Sequence, residues 1–323
     1  MRRREFFRSS ACAGLAAGLH ELVQLEAGPR IGRDIPVRLR KRTARLRRLD
    51  DVLGGGDTYR VYVGEYQATK ALLRDGSYTE ETGRSLLSVL AEQAQQAGWA
   101  AFDAGRHADA SGLYEASRQA AVAAGDDALA GNALAFLAYQ KVSTSRTAGV
   151  ETAVQSCRTA GPGAPAGVRA LLYGRLAWAY AAAGNVSETE RALNTAEAVL
   201  GEAGGVPEPD WATWDGNGLQ IMTARCWTEL RRPLRAIPVL EDVLAHYDDA
   251  HARDKSLYLS WLADSYLAAG EIEQAATTAG RVLELSAGVA SVRPRRRIAP
   301  VLQGLSAHRT VPAVAEALDR AGV

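Results

Sequence analysis

Internal self-similarity is the feature that most constrains this chain. The stretches AGWAAFDAGRHADASGLYEAS, LAWAYAAAGNVSETERALNTA and LADSYLAAGEIEQAATTAGRV align without gaps on Gly105, Gly184 and Gly270. Each reads as a helix, a glycine-centred turn and a second helix. Apolar or small residues fall at matching offsets on both sides of the turn. A period of this kind is the mark of stacked helical hairpins.

The pattern is tetratricopeptide-like, and each position has a physical reason. Small residues where the two helices cross let the backbones approach: Ala177, Ala224 and Ala263 in the first helix, and Ala110, Ala236 and Ala275 in the second. Glycine at the turn adopts positive φ at little cost. Bulky Tyr114, Leu193 and Leu240 fill the space between hairpins. Two further copies are weaker. One has Ser145 in place of the turn glycine; the other has Arg231 there, followed by Pro233. In this register Trp99, Tyr139, Trp178, Arg225 and Asp264 are equivalent, at spacings of 40, 39, 47 and 39 residues. The usual period is about 34. The surplus falls in loops, GPGAPAG (161–167) and GEAGGVPEPD (201–210).

The predicted fold class is all-α, an α-solenoid of tetratricopeptide-like hairpins. Its parts are a basic N-terminal linker or helix over 1–37, a helical cap over 38–90, about five hairpins over 91–285, and capping helices over 286–323. Leu46, Leu49 and Leu53 have helical spacing, and the GGG at 54–56 ends that helix. SYTEE supplies a Thr79 N-cap with acids in the first turn. The basic SVRPRRR precedes a helix, and RTVPAVAEALDR is the last one. Solenoids need such polar ends.

Composition agrees: hydrophobic residues make up 47%, charged residues 23% and aromatics only 7%. An Ala- and Leu-rich chain of this kind favours helix. No run of about 18 apolar residues occurs, so no membrane-spanning helix is predicted. Cys12, Cys157 and Cys226 are too far apart for a disulfide framework or a paired-cysteine metal site. The net charge is only +1, but it is unevenly placed: thirteen Arg and Lys precede residue 49, against four acids. A second basic knot, RPRRR, spans Arg293 to Arg297. Such segments either hold an acidic partner or nucleic acid, or form solvated helix faces.

No catalytic motif is present: no nucleophile elbow, zinc-protease helix, phosphate loop or dinucleotide loop. The histidines are scattered, and His246 and His251 lack the i, i+4 spacing that would put two ligands on one helix face. No enzyme, cofactor or metal is therefore expected. His107 takes a turn-proximal packing place. Trp227 and Trp261 are expected in the core, while Trp211 and Trp214 start a helix as a packed pair or a ligand edge. The helix-A position held by Trp99, Tyr139 and Trp178 lines the concave face in this repeat type. With Gln95, Asn132, Arg225, Ser260 and Asp264 beside them, these residues form the expected ligand lane. Aromatics give contact area and polar groups set register. The alternative is that the aromatics pack between neighbouring helices.

The start, MRRREFFRSSACAGLAAGLHEL, looks at first like a twin-arginine export signal. Its apolar core is short and runs into His20 and Glu21, and Leu19, Leu22, Val23 and Leu25 continue a helical stripe past them. That favours a retained amphipathic helix and a cytoplasmic protein.

The strings RRLDDVLGGGD, LLSVLAEQAQQAGWAAFDAGRHADASGLY, ARDKSLYLSWLADSYLAAGEIEQAA, SVRPRRR and TVPAVAEALDR resemble one actinobacterial family. It comprises the tetratricopeptide-repeat transcriptional regulators of Streptomyces and relatives, many of them of the Xre helix-turn-helix class. The resemblance runs from about Arg38 onward, and GWAAFDAGRH is its most specific string. Family members with a DNA-binding domain carry it ahead of the repeats, and no helix-turn-helix is read here. The resemblance implies a regulatory sensor that binds a protein, a peptide or a small signalling molecule and modulates transcription. Direct DNA binding through Arg38 to Arg48, or an exported scaffold, are the alternatives. A homodimer stays open.

Overall fold

The computed structural model describes residues 30–202, 208–212 and 216–323, leaving aside the side chains of 50–52. The twin-arginine-like stretch, with Cys12, His20 and Glu21, lies outside the described residues. The described part is all-α: fourteen α-helices with three short 3-10 turns and no strand. No helix among the described residues is long and apolar enough to cross a membrane.

Helices α1 (Asp34–Leu53) and α2 (Gly55–Asp75) form the N-terminal end. Five antiparallel hairpins follow. They are α3 (Glu80–Asp103) with α4 (His107–Ala124), α5 (Asp127–Val142) with α6 (Arg146–Ala160), and α7 (Ala166–Ala182) with α8 (Val186–Leu200). The last two are α9 (Gly216–Glu229) with α10 (Pro233–Ala245), and α11 (Ala252–Ala269) with α12 (Ile272–Ser286). Helices α13 (Arg293–Leu305) and α14 (Pro312–Ala321) pack on α12 as the C-terminal end. Helix α1 begins inside the expected linker, and α3 runs unbroken across residue 90, so the cap and the first hairpin share one helix.

The crossing alanines behave as their spacing requires: Ala110, Ala177, Ala224, Ala236, Ala263 and Ala275 are all completely buried. Tyr114, Leu193 and Leu240 are buried between hairpins. Each such side chain stabilises the stack by about 1.5–3 kcal/mol. Side-chain caps define several helix starts. Thr79 accepts from the Thr82 N–H, Asp126 from Leu129 and Asn185 from Glu188, each answering an otherwise unmet helix donor.

The hairpin turns show what glycine does and how it is replaced. Gly105, Gly184 and Gly270 have φ of 81°, 79° and 84°. Arg231 takes the same left-handed backbone at φ 56°, the one such non-glycine among the described residues. Ser145 solves the problem differently. It is not a turn residue but the N-cap of α6, accepting from the Ala148 N–H at 3.3 Å. Its own N–H bonds Lys141 O, four residues back, where Asn185 reaches five back to Tyr180 O. The connection is three residues long in both cases, but its closing hydrogen bond spans one residue fewer, and the turn holds no left-handed residue.

The ends of the solenoid meet. Helix α11 touches α1, and Arg47 of α1 pairs with Asp210 at 2.6 Å. The link from α12 to α13 crosses back to the start: the Gly56 N–H donates to Ala290 O at 2.8 Å, and the Val292 N–H to Asp103 O at 3.0 Å. The basic knot corrects the sequence reading. RPRRR does not precede α13 but is its first turn, with Pro294 at the first helical positions, where a fixed φ helps and the missing N–H costs nothing. Four arginines there oppose the helix dipole, so they depend on acids from elsewhere in the solenoid.

Candidate functional site

Those acids lie on the concave face. Asp103, at the end of α3, is fully buried. It accepts from the Gly55 N–H at 2.9 Å and the Ser291 hydroxyl at 2.7 Å, and lies 3.7 Å from the Arg293 guanidinium. Asp264 on α11 pairs with Arg231 at 2.8 Å and Arg297 at 2.6 Å. Arg296 reaches His107 Nε2 at 2.8 Å. The start of α13 thus forms one side of a partly open hollow, the chamber, with Arg293, Arg296 and Arg297 in its lining.

Two adjoining cavities remain inside, of about 400 and 240 Å³. Tyr139, Trp178, Arg225, Leu257, Trp261 and Arg293 line both. The aromatics form a continuous row. Trp99 meets Tyr139 edge-on at 6.2 Å, and Tyr139 stacks on Trp178 at 4.6 Å. Arg225 lies 4.1 Å from the Trp178 ring centre and 4.8 Å from that of Trp261, and Arg293 lies 4.5 Å from that of Trp99. Cations over aromatic faces are favourable, more so when desolvated.

Charge balance is the decisive property. Arg293 has Asp103, and Arg253 has Asp254 at 3.0 Å. Among the described residues Arg225 and Arg175 have no carboxylate within ion-pair distance, and Glu229 is the acid that lines the larger cavity with Arg225. Arg225 donates through Nη2 to the Tyr139 hydroxyl at 2.9 Å, while its Nε, fully buried, has no partner. Arg175 donates to Asn132 Oδ1 at 2.6 Å and lies 4.3 Å from the Phe136 ring centre. The Trp178 indole N–H is also buried without a partner. An unmet buried donor costs about 1–3 kcal/mol, more when charged.

Two ionisation shifts follow. Burial holds Arg175 down to about 10; Tyr114 and Tyr139 favour its charge, and neighbouring Arg225 opposes it. Burial by itself raises the Tyr139 phenol, but Arg225 and Arg293 outweigh that and bring it down to about 8. The field in the chamber favours negative charge.

Of the eight expected lane residues, the structure brings Trp99, Tyr139, Trp178 and Arg225 together at the cavities. Gln95 and Asn132 stand behind them: Asn132 donates to Gln95 Oε1 at 2.7 Å and orients Arg175. Ser260 is fully buried, its hydroxyl donating to Leu257 O within its own helix. Asp264 is occupied by two arginines. Sequence reasoning missed Arg175, Arg293 and Trp261 as site residues. Of the other tryptophans, Trp227 is in the core, Trp211 lies in the 3-10 turn Asp210–Ala212, and Trp214 falls outside the described residues. Burial pushes the Cys157 and Cys226 thiols up to about 12, which leaves them unreactive.

No protein-family model matches this chain, and no curated protein is significantly similar to it.

Proposed function

We propose that the chain is a regulatory sensor of the helical-repeat type, binding its signal in the concave chamber and modulating transcription through a partner. The observation that supports this is the pair of adjoining cavities lined by Tyr139, Trp178, Trp261 and Arg225, where Arg225 has no carboxylate within ion-pair distance among the described residues. The resemblance to the actinobacterial regulators points the same way. The enclosing contacts of α13 favour a small signal or the end of a peptide over an extended peptide lying along the lane. Transcript profiling tests the regulatory reading. Deletion of the gene and an Arg225→Met replacement on the chromosome are expected to change the same set of transcripts, and unchanged transcripts in the deletion would refute it. Fractionation is expected to place the chain in the cytoplasm.

A second reading has its own observation. Arg38, Lys41, Arg45 and Arg48 are exposed along one side of α1, a basic stripe of the kind that contacts phosphates. Mobility shift at rising salt tests it: steep weakening supports nucleic-acid contact, and no shift at low salt removes it.

A further inference from the structure

We infer that the chamber binds a small organic carboxylate with a flat, apolar body, an aromatic or heteroaromatic acid. This deepens the sensor reading and rests on it. Three independent observations carry the assignment.

The first is polarity. Among the described residues the two unmet buried atoms behind the cavity walls are both donors, the Arg225 Nε–H and the Trp178 Nε1–H, each shielded from the cavity space itself. The Tyr139 oxygen accepts from Arg225 at 2.9 Å and Arg293 at 3.3 Å, and its own O–H has no acceptor among the described residues. Donors alone call for an acceptor ligand. Other buried unmet groups, near Glu65 and Gln93, mix donors with acceptors, as a bound water does.

The second is charge. Among the described residues Arg175 and Arg225 make no ion pair, whereas Arg231, Arg253, Arg293 and Arg297 each have one. A single carboxylate offers two coplanar oxygens to a guanidinium edge. It also leaves only one charge to desolvate, which suits apolar walls better than the two charges of a phosphate.

The third is shape. The rings of Trp178 and Trp261, with Leu257, give flat apolar walls, and the 400 Å³ cavity falls within the range of small-ligand sites. The lowered Tyr139 phenol agrees, since the same field that favours a phenolate favours a bound anion.

The test uses the full chain with phenylacetate, indole-3-carboxylate, their neutral amides and inorganic phosphate as probes, read by calorimetry and thermal shift. At least one acid is expected to bind and raise the melting temperature, while its amide binds at least about tenfold more weakly, the loss of one charge-assisted contact. Arg225→Met is expected to abolish acid binding. Should that variant fail to fold by circular dichroism, Arg225→Lys keeps a positive charge and removes the planar guanidinium edge, and is expected to weaken the acid at least about tenfold. Binding of an acid is also expected to raise the Tyr139 phenol above its value of about 8, which a merely structural residue would not do. Equal binding of acid and amide, binding of phosphate alone, or no binding by either acid overturns the assignment. Such a failure with transcripts still altered by Arg225→Met would leave the sensor reading standing with a different ligand.

Discussion

Tyr139 gives the sharpest test of the chamber's electrostatics. Its phenol titrates near 8 in the folded chain against 10.0 for an ordinary tyrosine. A folded value below the unfolded one means that the native state favours the ionised form. The stabilisation is fully present above pH 10 and is lost as the pH falls through 8. Two pK units correspond to roughly 3 kcal/mol. Tyr139→Phe removes the titrating group and keeps the ring that stacks on Trp178. Urea unfolding of both proteins across this range is therefore expected to diverge. Wild type gains about 3 kcal/mol on the variant between pH 8 and 10. Phenolate absorbance gives the parallel reading, one tyrosine ionising ahead of the rest in wild type and absent from Tyr139→Phe. Parallel unfolding curves, or no early phenolate step, would show that Arg225 and Arg293 do not outweigh burial.

At the hairpin crossings, Ala224→Leu is expected to cost about 1–3 kcal/mol by crowding, and Leu240→Ala about 2–5 kcal/mol by leaving a cavity, both read by urea unfolding. Arg231→Gly is expected to stay within about 1 kcal/mol of wild type, because relief of the left-handed backbone offsets the lost exposed pair with Asp264. Arg231→Val, with a β-branched residue at φ 56°, is expected to melt well below both; equal melting would show that the turn tolerates any residue. Asp103→Ala is expected to cost about 3–5 kcal/mol, since it leaves the buried Arg293 without its acid, and to loosen the α12–α13 link in hydrogen exchange.

The parts of the fold legible in the sequence are those set by neighbours. Crossing alanines and turn glycines repeat because each hairpin meets the next in the same way, and aligning them put Trp99, Tyr139, Trp178 and Arg225 on one face. Ser260 stands one turn before Asp264, the equivalent place in the last hairpin, and its hydroxyl bonds the backbone of its own helix. Arg175 was within reach: it stands three residues before Trp178 and so shares its helix face. The closure was not. Arg293 and Tyr139 are 154 residues apart, and Ser291 and Asp103 are 188. Periodicity carries no information across such distances. An arginine cluster opening a helix was the available signal, because it is unfavourable until acids are found for it.

Closure and chamber share one residue, and this ties stability to ligand. Arg293 lies over Trp99 and bonds Tyr139 on the cavity side, while Asp103 holds it on the side where the α12–α13 link joins α2 and α3. Under the proposed reading, an anion beside Arg225 would add a counter-charge near Arg293 and so would strengthen the contacts that hold the start of α13 against α3. A ligand at a hundred times its dissociation constant adds about 2.7 kcal/mol to the state that binds it. That is comparable to the cost assigned to losing Asp103.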